Sequence, residues 1–158
     1  MDALAVPIVM TLFVWWFATG AGFTPVTPDR VADTRDNTGG VGTTKIGNGA
    51  DGGTPLSFRV LGTGNIPTSG VAAVSLNVTA VNTTADKFGG YVTTYPCGTI
   101  PDVSSLNFVS NQIVPNAVIA PLSANGTICF FAYGQTDLIV DLNGYFPTGA
   151  GFTPMSPV

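Results

Sequence analysis

The chain has 158 residues, of which 45% are hydrophobic and only 9% charged, with a net charge of −4 and no histidine. Five Lys and Arg residues cannot form the basic patch of a nucleic-acid-binding protein, and a low charge with many β-branched residues is the opposite of a disordered composition. The length predicts one domain. Because Thr, Ser, Asn and Gly must solvate its surface, we expect an extracellular β-protein.

The first segment, residues 7–17, is the most apolar part of the chain. A transmembrane helix needs about twenty apolar residues, and this segment has roughly half that number before Gly20 and Gly22 interrupt it. A signal peptide has a positively charged start, whereas Asp2 is the only charge before this segment. Its Val, Ile, Phe, Trp and Thr residues favour a strand covered on both faces, which is the preferred interpretation. The targeting and membrane interpretations stay open.

From residue 23 onward, short apolar or alternating runs are separated by Gly, Asn and Pro. Residues 24–35 form an extended, proline-punctuated lead-in, and 37–53 form a loop with room for one short ribbon. The predicted strands are residues 55–61, 71–81, 90–95, 105–108, 117–121, 126–132 and 137–142. No window has a helical period. A strand about every ten residues predicts an all-β, β-sandwich or jelly-roll-like single domain.

A short segment occurs twice in the chain. Residues 17–25 read FATGAGFTP and residues 146–154 read FPTGAGFTP. The second copy follows the last predicted strand, whereas the first copy follows the apolar segment 7–17, which therefore takes the place of a final strand of a preceding domain. The organisation predicted is an N-terminal strand and Gly-rich linker (1–22), a β-sandwich domain (23–148) and the start of a next repeat (149–158).

The repeated segment has two explanations. The chain is either one unit of a tandem array or a free subunit that polymerises head to tail. The apolar segment is much less polar than the strand 137–142, and a donated strand must supply its own affinity, so we prefer donation to a neighbouring subunit, outside the strand's own domain. Burying several of its large side chains would contribute on the order of 10 kcal/mol before ordering costs. The predicted polymerisation strand comprises Ile8, Met10, Leu12, Phe13, Val14, Trp15, Trp16 and Phe17.

Five segments carry a family resemblance: residues 23–35, 71–81, 95–98, 105–108 and 137–146. They resemble a tandem β-rich repeat domain of large secreted bacterial surface proteins, a poorly characterised family, and the resemblance covers nearly all of residues 23–148. It implies a secreted surface module with no known catalytic activity. One departure is Asp29, which stands where that repeat often has Cys.

The two cysteines, Cys97 and Cys129, lie beside predicted strands. We expect a disulfide between them, which would add roughly 3 kcal/mol by restricting the unfolded chain; two buried thiols are the alternative. The absence of His and of a CxxC motif excludes a zinc site.

No arrangement of residues supports catalysis, since a Ser–His pair cannot exist without histidine. Asp33 and Arg35 are interpreted as a structural ion pair, and a calcium site in the loop 33–37 is the less favoured alternative. The aromatic residues Tyr91, Tyr95, Phe130 and Tyr133 lie in strand patterns and are expected in the core. No catalytic, cofactor-binding or metal-binding residue is predicted, and the protein is not expected to be an enzyme.

Three Asn-x-Ser/Thr sequences are candidate glycosylation sites: Asn77 in a predicted strand, and Asn82 and Asn125 in predicted turns. The function expected is a structural subunit of an extracellular, cell-surface filament. Its partners are other copies of itself and covalent glycans, without nucleic acid and without a stable membrane span. The alternative is a carbohydrate-binding or spacer module of a secreted tandem-repeat protein.

Overall fold

The computed structural model describes residues 22–47 and 53–155. Within these ranges the chain forms strands, turns and bridges and no helix, so the all-β prediction is confirmed. The predicted polymerisation strand lies outside the described residues, and its pairing with another domain stays a prediction.

Eight strands are present in the described ranges. They are β1 (Thr24–Asp33), β2 (Leu56–Arg59), β3 (Val71–Thr84), β4 (Gly90–Pro96), β5 (Leu106–Phe108), β6 (Val114–Pro121), β7 (Thr127–Tyr133) and β8 (Gln135–Pro147). Seven of them match the predicted strands, and β1 occupies most of the predicted extended lead-in.

The strands form two antiparallel four-stranded sheets, consistent with a β-sandwich. The first has the order β1-β8-β3-β6 and the second the order β2-β7-β4-β5. Alternate residues of each strand point into the space between the sheets, because successive side chains of a strand lie on opposite faces. The resulting core includes Leu76, Val92, Phe130 and Leu142, none of which is exposed to solvent.

Strand β1 begins beside the end of β8. Thr24 pairs with Tyr145 at this corner, and Asp33 pairs with Ile139 further along. The chain therefore enters the sandwich next to the point where β8 leaves it, although the two strands lie at opposite ends of the domain sequence.

The edges of both sheets are short or interrupted by proline. Strands β2 and β5 have 4 and 3 residues, and β1 and β6 each contain two prolines. In β6, Pro115 pairs with Thr79 and Pro121 pairs with Ala73, and neither proline has an N–H to donate to β3. The backbone of these two positions therefore faces away from β3, toward the open side of β6. Because proline has no N–H to offer a further strand, such a strand could pair only with the middle of this edge.

Cys97 and Cys129 form a disulfide in the structure, with their Cα atoms 4.9 Å apart. Cys97 directly follows β4, while Cys129 lies in β7 and pairs with Tyr95. The bond joins residues separated by 32 positions, so its main effect is to restrict the unfolded chain, by roughly 3 kcal/mol.

Candidate functional site

The end of β1 carries the ion pair predicted from the sequence. The buried carboxylate of Asp33 accepts hydrogen bonds from the backbone N and Nε of Arg35 at 3.0 and 2.9 Å, and from its Nη2 at 2.6 Å. Arg30 contributes a longer contact of 3.4 Å. The hydrogen bonds from Arg35 hold the pKa of Asp33 below its usual range. These contacts confirm that the two residues form a structural pair.

In the loop after β1, side-chain oxygens accept hydrogen bonds from backbone N–H groups of the same loop. Asp36 accepts a hydrogen bond from the N–H of Thr38 at 2.9 Å, and Asn37 accepts one from Gly42 at 2.7 Å. Within residues 22–47 and 53–155, no three side chains of the types that bind metals come together. The calcium alternative for this loop therefore gains no support from the geometry.

A second buried carboxylate lies in β8. Asp137 accepts hydrogen bonds from Thr34 Oγ1 at 3.1 Å and from Asn82 Nδ2 at 2.8 Å. Asn82 has a φ of 52°, in the left-handed region, and lies within β3 at a register shift between Val81 and Thr84. The predicted turn at Asn82 is therefore wrong: the residue forms a β-bulge inside a longer strand.

The other two candidate glycosylation sites lie where the sequence predicts them. Asn77 is half-buried in β3, and its Nδ2 donates to Thr79 Oγ1 at 3.3 Å. Asn125 is exposed in the turn between β6 and β7, and its backbone carbonyl accepts a hydrogen bond from Arg59 at 2.8 Å.

Two of the four aromatic residues that were expected in the core lie outside it. Tyr95 and Phe130 are buried, as predicted. Tyr91 and Tyr133 are only half-buried and line an open cleft of about 540 Å³ on the outer face of the second sheet. Their rings stack with centroids 5.7 Å apart and planes inclined by 14°.

The cleft is open because a loop covers only part of this outer face. Tyr91, Thr93 and Tyr95 alternate with core residues of β4 and so share the outer face. The loop that follows Cys97 lies over the middle of β4, where the Thr93 hydroxyl donates to the carbonyl of Val103. Thr93 and Tyr95 are buried, whereas Tyr91 stays accessible. Sequence periodicity cannot show where such a loop lies.

A tight turn places an exposed phenylalanine at the side of the cleft. Phe88 is 83% exposed, in the turn that connects Asp86 to Gly89. Asp86 Oδ1 accepts a hydrogen bond from the N–H of Phe88 at 2.8 Å, and its Oδ2 accepts one from the hydroxyl of Tyr133 at 3.0 Å. This bond to Asp86 raises the pKa of Tyr133.

The repeated segment forms an aromatic cluster at the corner of β1 and β8. The centroid of the Phe146 ring lies 5.3 Å from that of Phe23, in a tilted arrangement, and 4.1 Å from that of Phe152, in a stacked one. Phe23 and Phe152 occupy equivalent positions of the two sequence copies, so both copies of one residue contact the same ring. Phe23 also lies over Gly144, where a Cβ atom would be 2.3 Å from its ring.

Comparison with known proteins gives no relative: no family model matches this chain, and neither does any curated protein or solved structure. The resemblance to a tandem β-rich repeat therefore stays a prediction. In the part of the chain that the structure describes, no helix is long and apolar enough to cross a membrane.

Proposed function

We propose that this protein is a structural subunit of an extracellular filament, polymerising head to tail by donation of its N-terminal strand to a neighbouring subunit. The observation that carries the proposal is the contact of Phe146 with both Phe23 and Phe152. Phe17 begins the first sequence copy as Phe146 begins the second. The chain thus repeats the end of β8 before its own domain and the start of β1 after it.

The segment before the first copy differs from β8 in a way that fits burial between subunits. In the repeat alignment, Ile8 and Leu12 stand where β8 has the acidic residues Asp137 and Asp141. Strand β8 can leave Asp141 half-buried on the outer face of its sheet. A strand with apolar residues in these positions needs cover on both faces. Each large side chain buried in this way contributes about 1.5–3 kcal/mol.

Steric fit favours addition of this strand to a neighbour over its exchange for β8. Trp15 stands in the repeat where β8 has Gly144. A Cβ atom at Gly144 would lie 2.3 Å from the Phe23 ring and 2.5 Å from the Thr24 carbonyl oxygen. A tryptophan does not fit there without displacing the start of β1, so the donated strand is expected at a free sheet edge.

Among the described edges, the middle of β6 is the best receiving surface. The strand has no charged residue, and Ile119 on it is 54% exposed. Between Pro115 and Pro121, two outward-facing positions retain an N–H group, at Ala117 and Ile119. Strand β1, by contrast, carries Asp29 and Arg30 along its exposed part.

The proposal is tested by negative-stain electron microscopy of native material beside a chain that lacks residues 1–19. We expect fibres from the full chain and none from the shortened one. Ile119→Lys places a charge on the receiving edge and is expected to shorten or abolish the fibres. Thr27→Lys, which adds the same charge to the exposed edge strand β1, is the matched control and should leave them intact.

Monodisperse particles from both the full and the shortened chain would contradict the filament proposal. A spacer module of a tandem-repeat protein would then be the better description. Fibres that form equally well without residues 1–19 would also contradict it, because they would show that another surface joins the subunits.

A further inference from the structure

The cleft on the second sheet exposes large apolar side chains to solvent. Phe88 is 83% exposed and Val109, which also lines the cleft, is 53% exposed. Exposure of such side chains to water is unfavourable, and a cluster of exposed apolar side chains often marks a binding surface. The turn that carries Phe88 is closed by a hydrogen bond from the N–H of Gly89 to the carbonyl of Asp86 at 3.2 Å.

The carboxylate of Asp86 connects Phe88 on one side of the cleft with Tyr133 on the other. Asp86 holds the backbone of Phe88 with one oxygen and the hydroxyl of Tyr133 with the other. Tyr133 in turn stacks on Tyr91, its cross-strand partner. The two tyrosine rings and the backbone of Phe88 are therefore held in place without a ligand, which lowers the entropic cost of binding.

Apart from the two tyrosine hydroxyls, the polar side chains that line the cleft are amides. Asn107 pairs with Tyr91 across β4 and β5, and within the described residues its exposed side chain makes no hydrogen bond. Gln112 accepts a hydrogen bond from the N–H of Val109 through its Oε1 at 2.9 Å, which leaves its Nε2 available to a ligand. Of the described residues that line the cleft, none is charged.

We propose that this cleft binds a neutral saccharide chain. The C–H faces of sugar rings are apolar and fit against the flat rings of Tyr91, Tyr133 and Phe88, while sugar hydroxyls pair with the amides of Asn107 and Gln112. An apolar concave surface with a few polar groups is the usual composition of a ligand site. The two charged groups beside the cleft are already engaged, since Lys87 Nζ lies 4.8 Å from the centroid of the Phe88 ring and Asp86 accepts the hydrogen bond from Tyr133. The inference does not depend on polymerisation.

The test is isothermal titration calorimetry of the full chain with cellohexaose, xylohexaose and mannohexaose, each at millimolar concentration. We expect saturable binding of at least one of them. Phe88→Ala should weaken that binding about tenfold, since it removes one stacking ring. Gln112→Ala should weaken it as well through the lost hydrogen bond. Ile100→Ala, at a residue 42% exposed outside the cleft, is the matched control and should bind as the unchanged chain does.

Absence of binding to all three hexasaccharides would overturn the inference, and so would binding that neither cleft variant weakens. If no sugar binds and Phe88→Ala instead dissociates the protein in sedimentation, the cleft contacts a second copy and the inference is wrong. Repeating the titration after enzymatic deglycosylation separates two sources of the sugar: tighter binding afterwards would identify a glycan of the protein itself as the natural occupant. Fibre formation is not a readout here, so the filament proposal stands or fails separately.

Discussion

Both oxygens of the buried Asp33 carboxylate accept hydrogen bonds from Arg35, two residues further along the chain. The pair joins a side chain with no solvent exposure to one that is 42% exposed. It closes the turn at the end of β1, and the Leu138 carbonyl accepts a hydrogen bond from the N–H of Thr34 between them at 3.0 Å. The ion pair therefore fixes the point where the first strand leaves the sheet.

Replacing Arg35 by alanine is expected to lower the free energy of unfolding by about 2–3 kcal/mol, because a buried carboxylate loses its main donors. Urea denaturation of the chain lacking residues 1–19 measures this without interference from polymerisation. Arg59→Ala is the control: that side chain makes one hydrogen bond to the carbonyl of Asn125 on an exposed surface, and its loss should cost under about 1 kcal/mol. Equal losses in the two variants would contradict the structural role of the Asp33 pair.

The same pair predicts a dependence of stability on acid. The pKa of Asp33 is lowered in the folded state, chiefly by the hydrogen bonds from Arg35. A lowered pKa stabilises the protein above the unfolded value of about 3.9, and this contribution is lost as the pH falls through the folded-state pKa. Stability measured from pH 6 down to pH 2 should therefore decrease. Asp33→Asn should be less stable at pH 6 and show a shallower decrease, whereas Asp102→Asn, at an exposed site, should follow the unchanged chain.

The positions of the strands could be predicted from the sequence because the alternation of side chains is local. The predicted strand 71–81 starts where β3 starts, but β3 continues to Thr84. The extension contains Asn82, whose side chain donates to the buried Asp137 of β8, a contact between residues far apart in the chain. Strand β8 likewise continues past Leu142, where its end pairs with β1 at Thr24 and with β3 as far as Val71.

The aromatic cleft was less predictable than the fold. Alternation places Tyr91 and Tyr95 on the same face of β4, so the sequence pattern predicts the same burial for both. Only the folded structure distinguishes them, because Tyr95 is buried there and Tyr91 stays accessible. The Asp33–Arg35 pair, by contrast, could be predicted because its two members lie two residues apart.

Gly144→Ala is expected to destabilise the protein by about 1–3 kcal/mol, since the added methyl group collides with the Phe23 ring and with the backbone carbonyl of Thr24. The ring can move away, but the carbonyl belongs to the start of β1 and cannot shift without loss of pairing. Gly22→Ala is the matched control, because no atom lies within 4 Å of its Cβ position. Thermal denaturation of both variants checks the prediction. An unchanged melting temperature for Gly144→Ala would show that the corner of β1 and β8 is loosely packed.

If the native protein is glycosylated on asparagine, the three sites should differ in occupancy. Asn125 is exposed in a turn, and within the described residues its side chain makes no hydrogen bond, so it is expected to carry most of the glycan. Asn77 is half-buried and bonded to Thr79, which should reduce its occupancy. Asn82 should be empty, because its Nδ2 is held by the buried Asp137.

Intact mass and glycopeptide mass spectrometry of native material measure these occupancies. Asn125→Gln should remove the largest glycan increment, and Asn82→Gln should leave the glycan mass unchanged. The second variant should nevertheless lower stability, because it removes the donor to Asp137 from the bulge in β3. A mass equal to that of the bare chain would rule out glycosylation altogether. A glycan on Asn82 with Asn125 empty would show instead that modification precedes folding of β3, since the folded bulge holds the Asn82 amide in its hydrogen bond to Asp137.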